Sequence, residues 1–233
     1  MSDTRKNLMF YGLMLVTAVV AVSLSAFGSA GRPKPAGPSL GRAASFVVLG
    51  GSTVTNTGAT AITGDLGVSG PGVSVTGFPP GTMARGSQHV GDPVANQAQF
   101  DAQSAYVVLA GKPCTTSLTG QDLGGKILGP GVYCFTSSAQ LTGELVLDGR
   151  GKGNKGVWIF QIASTLTTAT NSSVGMRSGA HGYNVFWQVG SAATLGTGTK
   201  FVGNILAYSS ITMNTASNLS GSPGARRCDD GQQ

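Results

Sequence analysis

The sequence predicts a mainly β protein whose short strands stack into a β-solenoid, with one long α-helix packed alongside. Three observations carry that expectation. Residues 165–170 (TLTTAT), 194–199 (TLGTGT) and 211–217 (ITMNTAS) share one pattern: Thr, a large apolar residue, a variable position, Thr, Ala or Gly, then Thr or Ser. Short apolar runs recur along the chain between Gly, Asn, Asp and Pro, too short for helices and bounded like strands. One stretch, residues 94–110, contains neither Gly nor Pro. A repeat of hydroxyls, small residues and aliphatics, with no acid, base or cysteine in it, describes a surface built by stacking rather than a reaction centre.

The first element is not part of that fold. Arg5 and Lys6 precede an apolar run over residues 8–24, followed by Ser25, Ala26, Gly28, Ser29 and Ala30. This order is that of a secretory signal peptide, and the run is also nearly long enough for an N-terminal anchor, so residues 1–30 predict export with or without cleavage. Residues 31–42, with Pro33, Pro35 and Pro38, read as a linker, and the folded domain is expected over 43–221. Apolar strand positions then fall at 46–49, Val54, 61–62, 66–68 and 73–75 before the helix. They resume at 126–128, 132–135, 145–147, 157–162, 185–189 and 204–207 after it. In the helical stretch Val94, Ala98, Ala102, Ala105 and Leu109 recur at helical spacing. Asp92 stands as N-cap, Pro93 at the first helical position, and Gly111 with Pro113 as the stop, giving a helix over about 93–110.

The runs WIFQI (158–162) and VFWQV (185–189) resemble each other, and each precedes a Thr segment, so a whole coil repeats. Thr197 to Thr215 makes a circuit of 18 residues; Thr168 to Thr197 makes one of 29, lengthened by a polar insertion around 176–182. Aligned in this way, Leu166, Leu195 and Met213 point inward. Simple alternation would then bury Thr168, Thr197 and Thr215 as well, a poor use of hydroxyls. A corner at Thr167, Gly196 and Asn214 resolves this by turning Thr168 and Thr170, Thr197 and Thr199, and Thr215 and Ser217 outward as pairs. Together with Thr165, Thr194 and Thr212 of the same segments, these are the candidate binding residues. Their grid, about 4.8 Å between coils and about 6.7 Å along each strand, suits ordered water: the Thr methyl favours water beside an apolar patch, the hydroxyl bonds it, and β-branching fixes the rotamer. Such water matches a crystal plane of ice.

The formal charge of +6 comes largely from the ends. Between Ala43 and Gly221, eight basic residues (Arg85, Lys112, Lys126, Arg150, Lys152, Lys155, Arg177 and Lys200) stand against six acids (Asp65, Asp92, Asp101, Asp122, Glu144 and Asp148). They are scattered, which argues against a nucleic-acid partner. Dispersed acids also argue against an enzyme, since hydrolytic sites in β-helices cluster carboxylates; Asp65 and Asp122 follow Gly-containing turns and read as loop braces. Cys114 and Cys134 in an exported chain favour a disulfide, and Cys228 is left over. His89 and His181 lie in unrelated polar segments, so neither a metal nor a cofactor is expected.

These residues resemble the microbial ice-binding protein family. The resemblance is carried by residues 50–58 (GGSTVTNTG), 62–68 (ITGDLGV), 118–125 (LTGQDLGG), 129–135 (GPGVYCF) and the stretch 184–207, and it covers about 43–221. It implies a discontinuous right-handed parallel β-solenoid and adsorption to an ice crystal surface through a flat face with Thr-Ala/Gly-x-Thr/Asn motifs, giving thermal hysteresis and recrystallisation inhibition; the chain itself is expected to be a monomer. Residues 168–171 (TATN) and 215–218 (TASN) fit that motif, while Lys200 departs from it in 197–200. Family members continue after the segment matching 218–221 with a final strand or two, whereas residues 222–233 have no strand pattern. A missing cap would leave the last coil with an exposed edge, open to pairing with another chain. The alternative function is a cell-surface adhesion solenoid binding glycan or protein; Trp158 and Trp187, however, sit inside apolar strands rather than on a sugar-binding surface.

Overall fold

Alternation within two- to five-residue strands, each closed by a turn, wraps the chain into coils. The computed structural model describes residues 37–51, 53–70, 72–151 and 155–220. The expected signal or anchor of residues 1–30, the first part of the linker and the tail 222–233 with Cys228 lie outside the described residues. β1 (Phe46–Gly50), β2 (Thr53–Asn56) and β3 (Ala61–Ile62) form the first coil. β4 (Asp65–Val68), β5 (Ser74–Thr76) and β6 (Thr82–Met83) form the second, and β7 (Gln88–Val90) begins a third. α1 (Pro93–Ala110) then intervenes. β8 (Thr116–Ser117) and β9 (Ile127–Leu128) reopen the solenoid. Four coils follow: β10 (Gly131–Phe135), β11 (Ala139–Leu141) and β12 (Glu144–Asp148); β13 (Trp158–Ile162), β14 (Leu166–Thr168) and β15 (Ser173–Arg177); β16 (Val185–Val189), β17 (Ala192–Leu195) and β18 (Lys200–Val202); β19 (Asn204–Ala207), β20 (Ser210–Met213) and β21 (Asn218–Ser220).

Like strands stack in parallel. The orders are β19-β16-β13-β10-β8, β11-β14-β17-β20-β2-β5, β6-β3-β21-β18-β15-β12-β9, and a short β1-β4-β7. The solenoid is therefore discontinuous, because β20 and β21 of the last coil pair with β2 and β3 of the first. α1 makes this possible: eighteen residues at 1.5 Å each span about 27 Å, which carries the chain back across several coils. The expected exposed edge on the last coil is thus overturned on two of its faces, while β19 remains the edge strand of its sheet. Its strands on these two faces are covered by N-terminal strands that sequence order places far away.

Two cores follow from the two sides of the helix-bearing sheet. Inside the coils, Tyr133, Phe160 and Trp187 stand in register on β10, β13 and β16. Phe160 and Trp187 stack with ring centroids 3.9 Å apart. Both tryptophans are fully buried, and their indole N–H groups donate to the backbone oxygens of Leu128 and Val202, which satisfies the only polar atom each carries inward. Outside the coils, Val132, Ile159 and Phe186 pack against Ala98, Ala105 and Leu109 of α1. Leu40 and Ala43 join this cluster, so packing begins within the stretch read as linker. Asp92 accepts from the Ala95 amide at 2.8 Å as the expected N-cap. At the other end the Gln161 side chain of β13 donates to the oxygens of Leu109 (2.7 Å) and Lys112 (2.8 Å), holding the end of the helix against the sheet. Cys114 is bonded to Cys134 of β10, tying the loop after α1 to the same sheet.

Candidate functional site

The six-stranded sheet β11-β14-β17-β20-β2-β5 carries the Thr segments, and its ladders fix which side chains share a face. Leu166 pairs with Ala193, Thr167 with Thr194, Thr194 with Thr212, Thr212 with Thr55, and Thr55 with Thr76. Gln140 stands opposite Thr167 on β11. One outward row is therefore Gln140, Thr167, Thr194, Thr212, Thr55 and Thr76. Two residues earlier along each strand lies a second row, Ser138, Thr165, Ala192, Ser210, Thr53 and Ser74. All of these positions are exposed or half-exposed, while the alternating neighbours Leu141, Leu166, Ala193, Leu195, Val54, Ile211 and Met213 are buried. No charged residue occurs in either row. The hydroxyls of Thr165 and Ser138 bond each other at 2.8 Å across adjacent coils.

The other faces differ in kind. The five-stranded sheet is covered by α1, as described. The seven-stranded sheet turns Glu144, Asp148, Arg177 and Lys200 outward, with Arg177 and Asp148 paired at 3.0 Å. Among the described residues, the six-stranded sheet thus combines an open face, in-register strands and hydroxyls without charge.

The candidate residues divide three ways. Thr165, Thr194 and Thr212 lie on the outward rows. Thr170, Thr197 and Thr215 are exposed, but in the turn after the sheet rather than on it. Thr168, Thr199 and Ser217 are buried at 3%, 0% and 1% exposure, so the expected outward pairs do not exist. The physical reason is a register slip of two. Thr168 falls opposite Leu195, not opposite Thr197, and Ser173 pairs with Lys200. The corner is accordingly not at Thr167, Gly196 and Asn214. The chain turns later, where Asn171, Gly198 and Ala216 all adopt positive φ (57°, 68° and 59°) at equivalent positions. Thr168 keeps the inward parity of its strand, whereas Thr197 and Thr215 turn outward at the corner; the inward hydroxyls of Thr168, Thr199 and Ser172 are hydrogen-bonded, and that of Ser217 is buried without a partner. Thr168 Oγ1 accepts the Gly196 amide at 2.8 Å and bonds Thr199 Oγ1 at 2.8 Å; Ser172 Oγ donates to the Leu141 oxygen at 2.9 Å.

Sequence reasoning also missed most of the face. Thr53, Thr55, Ser74 and Thr76 come from the N-terminal coils, and Thr167 was read as a corner. The Thr-Val-Thr alternation at 53–55 is the signal that could have found the first two. The dispersed acids have the bracing roles expected of them: Asp122 Oδ1 accepts from the amides of Gly124 (2.6 Å) and Thr142 (2.9 Å), and Asp65 Oδ1 from Ser87 (2.9 Å). Burial raises the Asp122 pKa, but these backbone donors together hold it below the usual carboxylate value.

Comparison with known proteins places the chain in a family. Residues 48–227 match the ice-binding-like family. The chain belongs to that family. Among ice-binding-like relatives, it is 57% identical over 180 residues to an ice-binding protein of Nostoc sp. (strain HG1), across 77% of this chain; it spans 65% of that relative's length. It is 33% identical to the ice-binding protein K3-B1 of Typhula ishikariensis, over 84% of this chain and 86% of the relative. Among solved structures, the ice-binding protein of the Antarctic ascomycete Antarctomyces psychrotrophicus superposes with a TM-score of 0.72 at 37% identity, covering 79% of this chain and 98% of that one. The ice-binding-like fold is a β-solenoid, as the parallel sheets here require.

Proposed function

We propose that this chain is exported and adsorbs to ice through the outward rows of the six-stranded sheet, giving thermal hysteresis and recrystallisation inhibition. The observation that carries the reading is the pair of uncharged hydroxyl rows held in register over six parallel strands. Backbone hydrogen bonding fixes the rows at about 4.8 Å between strands and about 6.7 Å along them. Thr at most of these positions adds a β-branched, rotationally restricted side chain whose methyl and hydroxyl order adjacent water. Charged side chains would hold water in their own hydration geometry; their absence from the face leaves the lattice water free to follow ice. Each contact is weak, but many act together on an immobile surface, so release is slow. The names of the relatives support the reading, and the Cys114–Cys134 bridge fits an oxidising compartment.

Osmometry at the ice–water boundary tests it. The folded protein is expected to depress the freezing point below the melting point and to keep ice grains small during annealing. Folded protein that does neither, and does not coat a growing ice hemisphere when fluorescently labelled, overturns the reading.

A further inference from the structure

The place where the last coil meets the first is joined by ladders on only two of the three faces. β20 pairs with β2 and β21 with β3, but no ladder joins β19 to β1, which belong to separate sheets. This junction lies in the middle of the hydroxyl rows, between Thr212 and Thr55, so its register decides whether the rows continue.

Thr170, Thr197 and Thr215 occupy one corner column, with the Asn171 and Gly198 amides bonding the oxygens of Thr197 and Thr215. The ladders on either side carry that column on to Gly58 in the first coil. There the side chains stop. Gly58 has φ +129°, and a Cβ on it would lie 2.8 Å from Thr215 Oγ1 and 3.0 Å from Thr215 Cγ2. Into that space the Thr215 hydroxyl reaches across the junction and donates to the Thr57 oxygen at 2.7 Å, a bond between residues 158 apart in sequence. The Thr170 and Thr197 hydroxyls, within the continuous coils, make no such bond.

We propose that Thr215 is a positioning residue: its hydroxyl latches the first coil onto the last, and so aligns the Thr53 and Thr55 rows with those of Ser210 and Thr212. The proposal rests on the reading of that face as the ice contact, and it removes Thr215 from the residues that touch ice. A slip of two residues at this junction would keep every side chain on its correct face while displacing two of the six strands of the lattice by about 6.7 Å, which is the error the latch prevents.

The test compares the full chain with Thr215→Val, which keeps the shape and loses the donor, and Thr215→Ser, which restores the donor. Amide exchange in β2 is expected to be about five-fold faster in the Val variant, the factor that one neutral hydrogen bond supplies, and to return to the parent rate in the Ser variant. Thermal hysteresis should fall and recover in the same order. Parent-like exchange in the Val variant, or equal loss of hysteresis in both variants, overturns the latch and makes Thr215 a direct contact. If the parent itself shows no hysteresis, the ice reading fails, and exchange alone still decides the latch.

Discussion

A hydroxyl on this chain has one of two fates, decided by strand parity. Thr194 faces outward and meets solvent. Thr168 and Thr199 face inward, bond each other, and cap the Gly196 amide and the Ala169 oxygen. Replacing Thr199 by Val keeps its volume but removes the hydroxyl partner of Thr168 in the interior, while the Ala169 carbonyl keeps its bond from Ser172 Oγ. A loss of about 1–3 kcal/mol in denaturant unfolding is expected, with ice activity unchanged in the protein that remains folded. The outward pairs were mispaired in the sequence for a related reason. TLTTAT and TLGTGT match as strings, yet the structure aligns Leu166 with Ala193, and a slip of two preserves every inward and outward assignment that hydrophobicity can report. Only the left-handed residues Asn171, Gly198 and Ala216 mark the true corner, and Ala at such a position carries no warning in the sequence.

At the scale of the element, what was legible is what is local. α1 ends where Asp92, Pro93 and Gly111 say it should, because caps act within one turn. β2 and β5 were legible as strands but not as members of the Thr face, since their neighbours lie across the closure of the solenoid. The acids that brace these elements give a pH dependence. The Ala95 amide, then His89, lower the Asp92 pKa; the Arg150 amide, then Ser178, lower that of Asp148; and the amides bound to Asp122 outweigh its burial. Each carboxyl is more acidic folded than unfolded, so the unfolded chain binds more protons at low pH. Stability contributed by these groups is therefore full above about pH 4, the ordinary carboxylate range, and drains away as pH falls through the folded values. Thermal melts from pH 6 to pH 2 should be level to about pH 4 and decline below it; a midpoint that rises on acidification contradicts this assignment.

For the whole molecule, the consequence of the long helix is that both ends of the chain build one surface. α1 returns the chain so that β2 and β5 extend a lattice begun by β14, β17 and β20. The same stacking leaves three unlike faces: one under the helix, one charged, one of uncharged hydroxyls. Placing function on the third is the central claim, and matched substitutions on two faces of one coil test it most directly. Thr194→Tyr puts a bulky ring in the middle of the hydroxyl rows, and Lys200→Tyr puts the same ring on the charged sheet a few residues later. With both variants folded, thermal hysteresis should fall at least several-fold for Thr194→Tyr and stay at the parent level for Lys200→Tyr. Parent-level activity in Thr194→Tyr, or equal loss in both, would contradict the account.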